Sequence, residues 1–317
     1  MTATAPRIVA AIDVGTNSVK IIVVDASADC ERLLYENTLI TRLGEGMQAY
    51  GMRLKEAAIR RTLDALEELV QQARAYGAEQ IAAVGTAALR EAQNRAEFLQ
   101  RAQERLGLTI EIISGQEEAR LSYLAVRRDP VWRESPHLTV VDIGGGSTEV
   151  IVGASDGKNI AFRVSLDMGA VRLTERFLRS DPPTLAQLDG ASRAIREALE
   201  HLPVTVRHRP CTLVGVGGTI ANLAAIDKGG VQSAEELHHH VIPVTRLEQI
   251  LRRLATLSIE ERKTVPGLEP ARADIIVAGA LILSLLLSHL EAEQIAVSIR
   301  GLRWGLLYDR FCNKASP

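Results

Sequence analysis

Ile12-Asp-Val-Gly-Thr-Asn-Ser-Val-Lys-Ile-Ile-Val-Val24 lies without a gap over Val141-Asp-Ile-Gly-Gly-Gly-Ser-Thr-Glu-Val-Ile-Val-Gly153. Both stretches read as an apolar strand ending in Asp, a turn through Gly to Ser, and an apolar return strand. The repetition predicts two tandem copies of one α/β fold. In each turn, backbone N–H groups and a hydroxyl can meet an anion, and glycine lets phosphate oxygens approach the backbone closely. The candidate phosphate-binding residues are therefore Gly15, Thr16, Asn17 and Ser18 in the first copy, and Gly144, Gly145, Gly146 and Ser147 in the second. Asp13 and Asp142, at the strand ends, are placed to hold water around Mg²⁺, which keeps several waters and shares its shell with phosphates. Two plain β-turns are the competing reading, and the alignment of the pair speaks against it. The copies are not chemically equivalent, because Lys20 in the first is replaced by Glu149 in the second.

Outward from the first copy, the pattern predicts a strand meander through Leu43, a helix over Leu54–Tyr76 stopped by Gly77, a strand over Gln80–Val84 and a helix over Glu91–Leu106. A strand at Thr109–Ile113 leads to Ser114, which stands where a helix cap is wanted before Gly115–Val126. Arg127–Pro136 reads as a charged linker. The second copy continues with a strand at Ile160–Leu166 and helices at Val171–Leu178 and Leu185–Leu202. A strand at Cys211–Val216 then enters Gly217-Gly218-Thr219, and a last strand at Gln294–Ile299 precedes a terminal helix. The expected domains are residues 1–124 with 300–317, and 125–299.

The 317 residues are 46% hydrophobic and 24% charged with a formal net charge of −2, an ordinary globular balance that suits two domains. That charge excludes a broad nucleic-acid-binding face, so a polyanionic ligand must meet a local basic patch. Cys30, Cys211 and Cys312 are odd in number and far apart, which suggests neither a disulfide framework nor a zinc site and reads as a reducing cytoplasm. The amino-terminal apolar stretch soon meets Asp13 and is too short for a signal-peptide core, so no export is implied. Ile275–Ser288 falls short of the roughly 18–20 residues that span a bilayer, so no membrane role is expected. It reads as a core helix whose Gly279 and Ala280 allow close packing, in the core or at a dimer interface.

These motifs resemble the ribonuclease H-like fold shared by actin, sugar kinases and heat-shock chaperones, and further ones narrow the likeness to the exopolyphosphatase and guanosine pentaphosphate phosphatase family. They are Asp13-Val-Gly-Thr-Asn-Ser18, Thr86-Ala-Ala-Leu-Arg-Glu-Ala92 with Asn94, Ile113-Ser-Gly-Gln-Glu-Glu-Ala-Arg120, Asp142-Ile-Gly-Gly-Gly-Ser-Thr-Glu149, Gly217-Gly-Thr219 and Gly301-Leu-Arg303. The resemblance covers nearly the whole chain. It implies two tandem actin-like domains with a cleft between them, and an enzyme that takes terminal phosphate from inorganic polyphosphate or guanosine pentaphosphate. It makes Glu118 the catalytic residue, puts Arg90 at the substrate, and assigns Asp142 and Glu149 to the metal side with Asp13 nearby. It further implies Mg²⁺ or another divalent cation, a monovalent cation such as K⁺, and a homodimer. Gly217, Gly218 and Thr219 resemble the turn that contacts adenosine or phosphate in this superfold.

The chemistry agrees for Glu118, since phosphoryl transfer to water needs an oriented nucleophile and a proton acceptor while cations neutralise the phosphate. Each residue also has a plainer reading. Glu118 would be an acid in a helix first turn, Glu149 a strand residue facing solvent, Arg90 a surface Arg at a helix start, and the glycine pair a tight turn capped by Thr219. His238-His239-His240 reads as a solvated strand edge, because adjacent strand residues point to alternate faces and at most two could share one ion. Two other function classes fit the turns: a kinase or nucleotide-dependent ATPase of the same superfold, and a module that binds guanosine tetraphosphate or pentaphosphate without turnover.

Overall fold

The computed structural model describes residues 7–27, 32–154, 159–203, 212–230 and 233–312. The chain divides into two compact units, residues 1–125 with 302–317, and residues 126–301.

Unit 1 begins with the antiparallel meander β1 (Ile8–Val14), β2 (Ser18–Asp25) and β3 (Arg32–Ile40). There follow α1 (Glu56–Ala75), β4 (Gln80–Gly85), α2 (Ala87–Glu91), α3 (Arg95–Leu106), β5 (Ile110–Ile112) and α4 (Gly115–Arg127), which runs on into unit 2. The sheet order is β3-β2-β1-β4-β5, with β4 and β5 parallel to β1. Side chains alternate along β1, so Ala10, Ile12 and Val14 join the core with α1 and α3, while Val9 and Ala11 face α4. Both faces are covered, which is why β1 is an unbroken apolar run. On α1, Ile59, Leu63, Leu66 and Val70 fall on one stripe, and each such burial contributes about 1.5–3 kcal/mol.

Unit 2 repeats the plan. The meander β6 (Leu138–Ile143), β7 (Thr148–Gly153) and β8 (Ile160–Leu166) is followed by α5 (Ala170–Phe177), α6 (Leu185–Glu200), β9 (Thr212–Val216) and α7 (Gly218–Asp227). Then come β10 (Val241–Pro243), α8 (Val244–Thr256), α9 (Ile259–Arg262), α10 (Ile276–His289) and β11 (Gln294–Val297). The order is β10-β11-β9-β6-β7-β8, with β9 parallel to β6 and β11 parallel to β9. α10 is buried nearly all round, as its apolar sequence requires. The chain ends in unit 1 with α11 (Leu302–Leu307), continued by a wider turn over Tyr308–Cys312. A Cβ at Gly305 would collide with the Leu121 carbonyl, so glycine is what lets α11 lie against α4. The two sheets with their helices are two tandem actin-like domains.

Three sequence expectations need correction. The helix predicted over Glu91–Leu106 is broken at Ala92–Asn94, because the Asn94 amide pairs with the Leu54 backbone, accepting from its N–H at 2.8 Å and donating to its carbonyl at 3.1 Å. Arg127–Pro136 is not a plain linker: Arg127 donates to the carbonyls of Trp132 and Ser135, and Asp129 and Trp132 are buried. Cys312 is disulfide-bonded, so its thiol is not free and cysteine usage does not argue for a reducing compartment. Spacing could not reveal this, since pairing of distant cysteines is set by the fold. Cys30 and Cys211 lie outside the described residues. Among the described residues, no helix is long and apolar enough to cross a membrane.

Candidate active site

In unit 1 the parallel register sets Val14 beside Gly85 and Gly85 beside Ile112. The carboxyl ends of β1, β4 and β5 therefore deliver three segments to one edge, where open α/β sheets bind ligands. The first is the turn Gly15–Ser18, closed by the Gly15 N–H on the Ser18 carbonyl at 2.9 Å. It is anchored from behind, since Thr41 and Arg42 donate to the Asn17 carbonyl and Gly44 donates to that of Thr16. Thr16, Asn17 and Ser18 are buried. The Asn17 Nδ2 has no hydrogen-bond partner among the described residues, which leaves a buried donor at the turn.

The second and third segments carry Arg90 and Glu118. Arg90 is in α2, and its Nη1 donates to Glu118 Oε2 at 3.2 Å and to the Ile113 carbonyl at 3.0 Å. Ser114 caps α4, accepting at Oγ from the Glu117 N–H at 3.1 Å. The two glutamates then separate. Glu117 is taken by Arg120, whose guanidinium also reaches Asp309 and is held well above its ordinary pKa by the Glu117 hydrogen bonds. Glu118, one position further round the helix, is 8% exposed and points at Arg90.

Asp13, at the end of β1, is buried and accepts from Lys20 Nζ at 3.1 Å across the β1–β2 ladder. Its other oxygen, Oδ1, has no hydrogen-bond partner among the described residues. Arg303 is a further cation here: it donates to Glu36 at 2.8 Å, burial holds its pKa below the ordinary guanidinium value, and Glu36 and then Asp13 act against that shift.

In unit 2, the Gly144 N–H closes on the Ser147 carbonyl at 3.0 Å, the same bond that closes the first turn. The Gly145 carbonyl accepts from Val171 and Arg172, and the Gly146 carbonyl accepts from Arg172 Nε at 2.8 Å. A Cβ at Gly169 would strike the Gly145–Gly146 backbone, so that glycine lets the start of α5 press on the turn. Asp142 faces Glu149 across the β6–β7 ladder. Glu149 is 1% exposed and accepts from Ser165 Oγ at 2.7 Å, which excludes the plainer alternative of a strand residue facing solvent: both faces of β7 are buried. Gly217 adopts φ 95, and a Cβ there would meet Asp142 Oδ1 at 2.7 Å, so glycine is required twice over. Gly218 lies on the Arg272 guanidinium, and Thr219 packs against Gly279 of α10.

Unit 1 thus gathers Asp13, Gly15–Ser18, Arg90 and Glu118, and unit 2 gathers Asp142, Gly144–Ser147, Glu149 and Gly217–Thr219. Sequence reasoning missed Ser165, Arg172, Gly169 and Arg272. Ser165 was within reach, since it stands opposite Glu149 in the β7–β8 register. Arg172 and Arg272 carry no local signal, being brought in by tertiary packing.

The histidine run is also corrected. His238 and His239 share the Asp129 carboxylate, while His240 turns to Asp227 at 2.9 Å. Neighbours share one partner because His239 has a left-handed φ of 65, which breaks the strand-like alternation. Burial, the adjacent His239 and Arg300 hold His238 below the ordinary imidazole pKa, against the pull of Asp129.

Comparison with known proteins identifies the family. Residues 22–314 match the Ppx/GppA phosphatase family. Exopolyphosphatase 2 of Mycobacterium tuberculosis is 35% identical over 313 residues, covering 94% of this chain and 97% of that protein. The Aquifex aeolicus PPX-GPPA enzyme superposes with a TM-score of 0.79 at 32% identity, covering 96% of this chain and 100% of that one. An exopolyphosphatase from Cytophaga hutchinsonii gives a TM-score of 0.88 at 25% identity, covering 96% and 98%.

Proposed function

The chain belongs to the Ppx/GppA phosphatase family, and from that premise we propose that it is an exopolyphosphatase, releasing terminal orthophosphate processively from inorganic polyphosphate. The observation that carries the reading is the Arg90–Glu118 pair, a buried carboxylate and a phosphate-type guanidinium at the sheet edge that also presents the Gly15–Ser18 turn. A water oxygen bonds to the terminal phosphorus as the anhydride P–O bond breaks. Glu118 takes the water's proton, and the chain one phosphate shorter keeps the negative charge on its new end. Arg90 leaves Glu118 for the phosphate oxygens, which a guanidinium fork can clamp. In unit 1 the Asn17 amide offers a further phosphate contact, and in unit 2 the Gly144–Ser147 and Gly217–Thr219 turns are proposed phosphate-binding turns in their own right.

Asp13, Asp142 and Glu149 are the proposed metal residues, and their chemistry fits a hard cation. All offer oxygen, Asp13 Oδ1 is buried without a partner among the described residues, and Asp142 faces a second carboxylate. Mg²⁺ held by Asp13 in unit 1, or by Asp142 with Glu149 in unit 2, would neutralise charge on phosphate oxygens there. A monovalent cation such as K⁺ and a homodimer complete the proposal on the family likeness. Light scattering tests the dimer, and exchange of K⁺ for Na⁺ during turnover tests the ion.

The experiment is orthophosphate release from long-chain polyphosphate with Mg²⁺. Glu118→Gln should lower the rate by roughly 10²–10⁴-fold, the span of general-base contributions; an equal rate would remove Glu118 from this role. The second reading is a guanosine pentaphosphate 5′-phosphohydrolase, favoured by the same family match. Parallel rates on guanosine pentaphosphate, ATP and ADP separate it, and phosphate transferred to an acceptor rather than to water would signal a kinase.

A further inference from the structure

Within residues 126–301, three metal-ligating side chains meet away from the phosphate turns. Asp129 Oδ2 lies 2.7 Å from His238 Nε2, and Oδ1 lies 3.1 Å from His239 Nε2. These ligand atoms all fall within 4.8 Å of one another. We propose that Asp129, His238 and His239 form a binding site for one divalent transition-metal ion of the zinc and cobalt class.

The donor set is the first argument. Two imidazole nitrogens and one carboxylate oxygen are the ligands of three-residue zinc sites, which leave a further position for water. They are a poor set for Mg²⁺ or Ca²⁺, which take oxygen.

Preorganisation is the second argument. The Asp129 carboxylate is 2% exposed and is held by the Val131 N–H at 2.9 Å. The histidine segment is tied to β11, with the His239 N–H donating to the Val297 carbonyl and the Val297 N–H to that of His240. The two imidazoles stack with centroids 3.9 Å apart, and Trp132 meets both edge-on at 5.6 Å and 4.8 Å. Both Nε2 atoms are therefore fixed toward one point before any ion arrives. Binding requires the proton to move from Nε2 to Nδ1, and the buried His238 Nδ1 has no partner among the described residues, so that shift breaks no bond there.

The alternative is a His–Asp–His hydrogen-bond cluster that binds nothing, and one titration separates the two. The whole protein, stripped with EDTA and dialysed into excess Mg²⁺ to occupy hard-ion sites, is titrated with Co²⁺. The expected result is one Co²⁺ per chain, a visible d–d band, and quenching of Trp132 fluorescence. His239→Ala, at a side chain 41% exposed, should weaken Co²⁺ binding about tenfold or more, measured at a temperature where the metal-free unfolding curve shows the variant folded. Trp132→Phe should keep the cobalt and lose the quenching. No uptake at micromolar Co²⁺, or equal affinity in His239→Ala, overturns the proposal. Paramagnetic broadening in the wild type keeps the test independent of any variant: it must strike His238 and His239 first, and broadening confined to other histidines also overturns the proposal.

Discussion

The two glycine-rich hairpins share a backbone and differ in charge. Gly15 closes on Ser18 and Gly144 on Ser147 by the same hydrogen bond, at 2.9 Å and 3.0 Å. In each, the aspartate ending the first strand faces one residue of the return strand, which is Lys20 opposite Asp13 and Glu149 opposite Asp142. The first hairpin therefore carries its counter-cation covalently. The second sets two carboxylates against each other, a pairing that is destabilising across a ladder unless positive charge or a proton intervenes. One register position thus decides what each copy can hold, while the repeated backbone decides only the fold.

The strongest way to break this comparison is Glu149→Lys, which gives the second hairpin the charge of the first. If Glu149 holds the divalent cation, Mg²⁺-dependent orthophosphate release should fall roughly 100-fold or more, beyond what losing a supporting residue costs. Rates measured across a Mg²⁺ series give the answer. A wild-type Mg²⁺ dependence in the variant would show that the charge difference is not functional.

A smaller effect is expected at the other hairpin. Lys20→Gln leaves the Asp13 carboxylate, 4% exposed, without its ammonium. Breaking a fully buried pair costs several kcal/mol, but the Lys20 side chain is 27% exposed, so solvent reduces the expected loss to about 1–2 kcal/mol. Urea unfolding without added metal reads it, and Lys20→Arg should recover most of it. No loss in Lys20→Gln would mean that Asp13 draws its compensation from elsewhere, with Arg303 the first place to look.

How far such differences could be read beforehand depended on the physics at each position. The hairpins were legible because strand alternation, the terminal aspartate and the glycine turn are local, and the gap-free repeat doubles the signal. The Ser114 cap and the stripe on α1 were legible for the same reason. The burial of Glu149 was not legible, since a glutamate in a strand is as easily solvent-facing until β8 and the helices are known to cover both faces. The break before α3 depends on Asn94 reaching the distant Leu54 backbone, and the histidine cluster on one positive φ at His239. Neither leaves a trace in residue spacing. Glu117 is held by Arg120, which also reaches the distant Asp309, while Glu118 faces Arg90; spacing alone does not separate the two glutamates, and the choice of Glu118 as the proposed base rests on the motif's likeness to a family.

The smallest effect tests the shared half of the comparison. Neither Gly15 nor Gly144 has a positive φ, so alanine at either is strained by contact and not by backbone conformation. The new Cβ would lie 3.0 Å from the Ser18 carbonyl oxygen in one hairpin and 3.2 Å from the Ser147 carbonyl oxygen in the other. In both cases the obstacle is backbone that also closes the turn, so the serine must shift by a few tenths of an ångström and the closing bond must lengthen. Each substitution should cost about 1 kcal/mol, the mild end of overpacking, with Gly15→Ala slightly the worse. Denaturant midpoints at unchanged slope, without substrate or metal, measure this stability difference apart from any role in binding. Costs matching within about 0.5 kcal/mol, the usual agreement for independent sites, would confirm that the hairpins are one backbone bearing two charge patterns. A clear inequality would place part of the functional asymmetry in the turns themselves.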